Sequence, residues 1–239
     1  MPINTTTEPT VEPVSEQITD YLSPFTLWLC VRGPQRADGT SSVELAWPDD
    51  DPEGGPLMFV SRLHAELYAT LRNREHDRED SEDGEAADIW QCVPLQSFPL
   101  REYIRTLGGT INCELAYGFM SDETGALVIA DGAPRARFLE LSFDVGDEID
   151  DPMFGFNLWA FEFMRDEWAS IGAAQVFKTF DRIDEMAHAP FARVLDAALA
   201  RTTITHDEPE VDHWSVYDPS AGRWIGALAN VRLDSLTLH

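Results

Sequence analysis

The chain has 239 residues, of which 44% are hydrophobic and 10% aromatic, and this is enough for a sizeable core. Its 43 acidic and 17 basic residues give a net charge of −26. Such a surface repels nucleic-acid phosphates and anionic lipid, so we expect neither nucleic acid nor a membrane as a partner. The acidity has two readings, which are general solubility and an acidic face complementary to a basic protein.

The cysteines and the first residues indicate the compartment. Cys30, Cys92 and Cys113 are too few and too odd in number for a disulfide scaffold, and each lies in an apolar, strand-like segment. The N-terminus shows no basic region followed by an apolar run, and no apolar run reaches the length of a membrane span. We therefore expect unreactive thiols and a cytoplasmic protein.

The first half of the chain predicts strands around one long helix. Residues 1–20, rich in Thr, Pro and Glu, are predicted to be a flexible tail, and residues 21–239 a single domain with a possible sub-boundary at 75–88. Apolar runs at 25–31, 42–47, 57–61 and 89–95 indicate strands, and a short helix is expected near 100–107. Ser61 is a suitable N-cap for a helix over 62–74, whose core stripe is Leu63, Leu67 and Leu71.

The middle of the chain predicts the best-defined sheet. Residues about 111–145 alternate between apolar and polar, which favours a three-stranded antiparallel meander. Ile111, Cys113, Leu115, Tyr117 and Phe119 are expected to share one face. The aromatic-rich segment at about 153–171 predicts a helix that is buried on most of its circumference and covers this sheet. Strands and helices are partly segregated, so the predicted fold class is α+β.

The C-terminal part predicts two helices and a hairpin. The helices are expected over 173–189 and from Pro190 to Arg201, and the hairpin turns at Asp218–Gly222. Residues 217–224, YDPSAGRW, resemble the YDPxxGR[FW] motif of Rhs-repeat proteins, which are large shells that carry toxins. The resemblance covers eight residues without the flanking repeats of those shells, so it implies no function here.

The sequence has no strong catalytic signature. GxxxxGK[ST], GxGxxG, GxSxG and HExxH are all missing, and we expect no cofactor. Residues 147–151, DEIDD, could hold a weakly bound Ca²⁺ or Mg²⁺, or could instead lie as negative charge at the N-terminus of the aromatic helix. His206 and His213 match no standard zinc spacing, and we interpret them as surface histidines. Glu162 is expected on the polar edge of the aromatic helix, or to pair with Arg135 or Arg137 if it faces inwards.

These observations favour a non-enzymatic domain that sequesters or neutralises a basic protein partner, as immunity proteins and antitoxins do. The alternative is a metal-assisted hydrolase that uses scattered carboxylates with His206 or His213. The oligomeric state is open. The residues expected to contact the partner are the acids Asp49, Asp50, Asp51, Glu79, Asp80, Glu82, Asp83, Asp147, Glu148, Asp150 and Asp151 and the tryptophans Trp47, Trp90 and Trp214, which we expect to be exposed anchors.

Overall fold

A computed structural model describes residues 21–33, 43–48, 54–79, 89–98, 110–144, 154–206 and 212–229, together with residues 100, 103 and 106. The predicted N-terminal tail lies outside these residues. The helices are α1 (Arg62–Glu79), α2 (Leu158–Ser170), α3 (Phe180–Asp184) and α4 (His188–Leu199). Two short 3-10 helices cover Leu95–Ser97 and Phe177–Thr179. The strands are β1 (Tyr21–Leu22), β2 (Trp28–Arg32), β3 (Glu44–Leu45), β4 (Leu57–Phe59), β5 (Gln91–Pro94), β6 (Thr110–Ser121), β7 (Leu127–Ala130), β8 (Ala133–Pro134), β9 (Ala136–Asp144), β10 (Phe154–Gly155), β11 (Ile204–Thr205), β12 (His213–Asp218) and β13 (Arg223–Leu228).

The predicted α+β class is confirmed, but the sheet is not a pure antiparallel meander. Within the described residues, eleven strands form one mixed sheet, and β1 and β10 form a separate parallel pair. The central strand is β6, which pairs with β9 along one edge. Its other edge pairs with β4 in parallel and with β12 in antiparallel orientation. The local alternation of apolar residues does not indicate which distant strands pair with β6.

A tight turn explains why the third strand returns to β6. Asp131 and Gly132 both have positive φ, 50° and 71°, which is the backbone of a two-residue type I′ hairpin. This turn joins β7 to the short β8. Beyond it the Arg135 amide still donates to the Val128 carbonyl of β7 at 2.9 Å, while the Met120 amide of β6 donates to the Arg135 carbonyl at 2.8 Å. The chain therefore passes from β7 to β6 at Arg135, and β9 continues the pairing with β6.

The predicted face of Phe119 is wrong because β6 contains a β-bulge. Ala116 pairs with Phe138 while Gly118 pairs with Arg137, so Tyr117 is an extra residue in the ladder. Cys113, Leu115 and Tyr117 share one face as predicted, but Phe119 faces the opposite side of the sheet. A one-residue shift turns each following side chain to the other face.

Helices cover both faces of the sheet. On one face, Leu115, Leu139 and Leu141 pack with Phe161, Met164 and Trp168 of α2, as the sequence predicts. On the other face, Phe59 and Phe119 pack with Leu63, Leu67 and Leu71 of α1 and with Phe191 of α4. Both faces of β2 are therefore covered, which fits its continuous apolar run.

The N-terminus of α1 is held by a distant carboxylate. The Ser61 hydroxyl is buried and has no hydrogen-bond partner among the described residues, so the predicted side-chain cap does not form there. Instead, the Arg62 amide donates to Asp184 Oδ1 at 3.2 Å, and the Trp28 indole donates to Asp184 Oδ2 at 3.2 Å. Asp184 ends α3, so α1, α3 and β2 are joined at this one carboxyl group.

The C-terminal predictions hold in part. The helix expected over 173–189 is instead the 3-10 turn Phe177–Thr179 followed by the short α3. Pro190 lies in the first turn of α4, as expected. The β12–β13 hairpin is confirmed, since the Asp218 carboxylate accepts the amide of Ser220 within the turn and Tyr217 meets Trp224 at 5.5 Å.

Candidate protein-binding surface

The acids predicted to contact a partner lie almost entirely outside the described residues. Glu79 is the last residue of α1, and its side chain is not described. The remaining ten are Asp49, Asp50, Asp51, Asp80, Glu82, Asp83, Asp147, Glu148, Asp150 and Asp151. Their contact with a partner stays a prediction.

The expected exposure of two predicted anchor tryptophans is wrong. Trp90 is 3% exposed, and its backbone is held by Asn73, whose Oδ1 accepts the Trp90 amide at 2.8 Å. The guanidinium of Arg72 covers its ring at 3.8 Å. Trp214 is 1% exposed and packs against Tyr117 at 5.6 Å. Both are core residues.

The third tryptophan is also mostly enclosed. Trp47 is half-buried and packs against the core on the α2 side of the sheet. None of the three tryptophans predicted to anchor a partner is therefore among the exposed large apolar side chains of the described residues.

Large apolar side chains are instead exposed at the start of α2. Leu158 is 66% exposed and Trp159 is 40% exposed. Trp159 stacks on the half-buried Phe163, with ring centroids 5.6 Å apart and planes 29° apart. The helix buries only Ala160, Phe161, Met164 and Trp168, so the expectation that it is buried on most of its circumference is wrong. The Asn157 side chain fixes this start by accepting the Trp159 amide at 2.9 Å.

These apolar side chains stand beside acidic ones. Leu158, Glu162 and Asp166 recur every four residues and so form one row along the helix, with Trp159 and Phe163 as the adjacent row. Glu162 and Asp166 are exposed. Glu162 therefore lies on the polar edge of the helix, as expected. We call these five residues the α2 surface.

A buried ionic contact fixes α2 on the sheet. Arg137 of β9 is 7% exposed, and its guanidinium donates to Glu167 Oε2 at 2.9 Å and to the Tyr117 hydroxyl at 2.7 Å. Burial raises the pKa of Tyr117 to about 12, although the Arg137 charge opposes the rise. The Trp168 indole also donates to the Tyr117 carbonyl at 2.9 Å. The α2 surface is therefore carried on a firmly seated helix.

The structure also contains a polar cleft of about 430 Å³ between the β6–β7 turn and the β12–β13 hairpin. It is lined by charges of both signs, with Asp122 and Glu123 from the turn and Arg201 and Arg223 from other elements. Asp122 is engaged in closing its own turn, because its Oδ1 accepts the amide and the hydroxyl of Thr124. We assign this cleft no chemistry.

The two histidines considered for metal binding are each paired with a carboxylate. His206 Nε2 lies 2.7 Å from Glu75 Oε2, and Arg78 contacts the same oxygen at 3.5 Å. His213 Nδ1 contacts Asp212. Across the part of the chain that the structure describes, no group of three or more His, Cys, Asp or Glu could hold a metal ion. The metal-assisted hydrolase thus gains no support from these residues.

Comparison with known proteins found no matching family model, no similar curated protein and no similar solved structure. Among the described helices, none combines the length and apolar character needed to cross a bilayer.

Proposed function

We propose that the chain is a non-enzymatic protein-binding domain that sequesters or neutralises a basic protein partner, with the α2 surface as its anchor. The observation that carries the proposal is the exposure of Leu158 and Trp159 beside the acids Glu162 and Asp166. Exposed apolar side chains rimmed by polar ones are typical of protein interaction sites.

Trp159 has the properties of an interface hot spot. Tryptophan is enriched at such positions because it buries a large apolar area and loses little conformational entropy. Its stacking on Phe163 holds the ring in one orientation before a partner arrives. We expect truncation of such a residue to cost about 2 kcal/mol of binding energy, which corresponds to roughly thirtyfold in affinity.

The negative charge of the chain favours a partner with a positive net charge. The only basic residue of α2 is Arg165, against three acids, Glu162, Asp166 and Glu167. Residues 144–151, DVGDEIDD, come shortly before the helix and add five acids and no base. A net charge of −26 attracts a basic protein over a distance and raises its association rate, and this attraction weakens as salt increases.

The proposal is tested by capture of partners from the native host with four immobilised chains. These are the wild type, Trp159→Ala, Leu158→Ala and the matched control Leu228→Ala. Leu228 is also largely exposed, at 49%, but it lies on β13. We expect the wild type and Leu228→Ala to retain one basic protein in stoichiometric amount at low salt. Both α2 variants should lose it.

Two results would count against the proposal. One is the absence of a stoichiometric partner even at low salt. The other is a partner that all four chains retain equally, because such a partner would bind elsewhere. Circular dichroism of each variant checks that the fold is intact, and since Leu158 and Trp159 are exposed, each change should cost about 1 kcal/mol of stability or less.

A further inference from the structure

Two of the three cysteines stand directly opposite each other in the sheet. Cys30 of β2 is the ladder partner of Cys92 of the antiparallel β5. The two residues are 62 positions apart in the sequence, and neither is part of a CxxC motif, so local spacing does not indicate that they meet.

The hydrogen-bond pattern places them at the close type of cross-strand pair. In an antiparallel ladder, hydrogen-bonded and non-hydrogen-bonded pairs alternate. The Leu95 amide donates to the Leu27 carbonyl at 2.8 Å, so Leu27 and Leu95 form a hydrogen-bonded pair. Counting three steps along the ladder makes Cys30 and Cys92 a non-hydrogen-bonded pair. Opposite Cα atoms in such pairs are about 4.5 Å apart, which lies within the range that a disulfide spans.

Both thiols lie on the same face of the sheet, in the cluster beneath α1. Cys30 is fully buried, and its S–H donates to the Ala65 carbonyl at 3.3 Å. Cys92 is only partly buried. Burial, together with the neighbouring Cys30 side chain, raises the pKa of the Cys92 thiol well above its ordinary value. The two sulfur atoms are therefore neighbours, and the outer one is the first that a reagent meets.

We propose that Cys30 and Cys92 are a reversible modification site that closes to an intramolecular disulfide by exchange with a low-molecular-weight disulfide such as oxidised glutathione. The Cys92 thiol loses its proton to solvent and attacks one sulfur of the reagent, forming a mixed disulfide and expelling one thiolate. Cys30 then loses its proton and attacks the Cys92 sulfur, which expels the second thiolate. The two cysteines are oxidised by two electrons, and the reagent is reduced to two thiols.

The surroundings tolerate this change. The Ala65 carbonyl that loses the Cys30 donor lies within α1, where the amide four residues later also donates to it. Cys113 takes no part, because it lies on the opposite face, fully buried, with Leu141 as its ladder partner. It therefore serves as an internal control.

The test exposes the folded full-length chain to oxidised glutathione, blocks the remaining thiols and maps the tryptic peptides without reduction. Trypsin places the cysteines in three different peptides, 1–32, 79–101 and 106–135. We expect most molecules to lose two hydrogen masses and to link peptide 1–32 to peptide 79–101. The Cys113 peptide should carry the blocking reagent. Cys113→Ser should give the same linkage.

The Cys30→Ser variant keeps the test decisive although exchange by a thiol of raised pKa is slow. In this variant Cys92 should accumulate as a glutathione mixed disulfide. The time that Cys30→Ser needs to complete this reaction is the time at which the peptides of the wild type are mapped. The proposal is overturned if the wild type still holds the mixed disulfide at that time. It is also overturned if the wild type forms a disulfide through Cys113 or between two chains. A Cys92 that stays unmodified in Cys30→Ser overturns it as well.

Discussion

His64 offers a direct test of the packing between α1, α3 and the sheet. Its ring is 2% exposed and lies edge-on to Phe119 at 5.9 Å and to Phe180 at 6.1 Å. Neither ring nitrogen has a hydrogen-bond partner among the described residues. Burial lowers the pKa of His64 from 6.5 to about 4. The folded chain therefore holds the ring neutral.

The sign of the pH effect follows from this lowered pKa. Above about pH 6.5 the ring is neutral in both the folded and the unfolded chain, so it causes no pH dependence. As the pH falls towards 4, the unfolded chain binds a proton that the folded chain excludes. Each unit by which the pH falls in this window then lowers the free energy of unfolding by about 1.4 kcal/mol. Between about pH 6.5 and pH 5 the loss is about 2 kcal/mol.

The assay compares the wild type with His64→Leu, which is similar in volume and cannot be protonated. Urea unfolding followed by tryptophan fluorescence at about pH 7 and about pH 5 gives four free energies. Other titrating groups affect both proteins alike, so they cancel when the two differences are subtracted. We expect His64→Leu to gain about 2 kcal/mol relative to the wild type on going from pH 7 to pH 5. A difference that stays constant would refute the burial of a neutral ring.

Asp184→Asn provides a companion variant with the opposite sign. Burial raises the pKa of Asp184 to about 6, although the Trp28 indole and the Arg62 amide bind the charged form. The folded chain takes up a proton below about pH 6 while the unfolded chain stays ionised, so this group stabilises at low pH and the benefit is lost as the pH rises through 6. The variant should therefore lose about 1 kcal/mol relative to the wild type between pH 7 and pH 5, because the carboxyl is partly exposed.

Three further outcomes are expected. Gly55→Ala should lower the free energy of unfolding by about 3 kcal/mol, because an added Cβ would lie 1.7 Å from a carbonyl oxygen of β6. The control Gly155→Ala should be close to neutral in the same urea assay, because an added Cβ there would have no atom within 4 Å. Glu167→Gln should cost about 2 kcal/mol, since it leaves the buried Arg137 without its charged partner, and the exposed Asp166→Asn is the control. Chelation of divalent ions should leave the melting temperature unchanged, and a drop of several degrees would revive the metal-dependent alternative.

Local chemistry explains the parts of the fold that the sequence predicts. The β12–β13 hairpin is readable because Asp218 and Gly222 suit its turn, where Gly222 has a φ of +63°. The stripe of Leu63, Leu67 and Leu71 is readable because it recurs at helical spacing on a single element. Each of these signals lies within one or two neighbouring elements.

The errors come from contacts between distant segments. The bulge at Tyr117 turns Phe119 to the other face, and nothing in the alternation of β6 marks it. Trp90 is covered by Arg72 of α1 and Trp214 packs against Tyr117 of β6, so the residues next to each tryptophan in the sequence do not show that it is buried. The N-cap residue Asn157 is the sequence signal that indicates the α2 surface. A helix that begins at Leu158 has Leu158 and Trp159 in its first turn, outside the buried stripe.

The role of the α2 surface is tested most directly by the dissociation constant of the captured basic partner for the wild type, Trp159→Ala and Leu228→Ala, measured by calorimetry at low and at moderate salt. We predict that Trp159→Ala binds at least tenfold more weakly, that Leu228→Ala binds like the wild type, and that affinity falls as salt rises. Equal constants for all three chains would contradict the α2 surface as the anchor, and an affinity that salt leaves unchanged would contradict the role of the acidic charge.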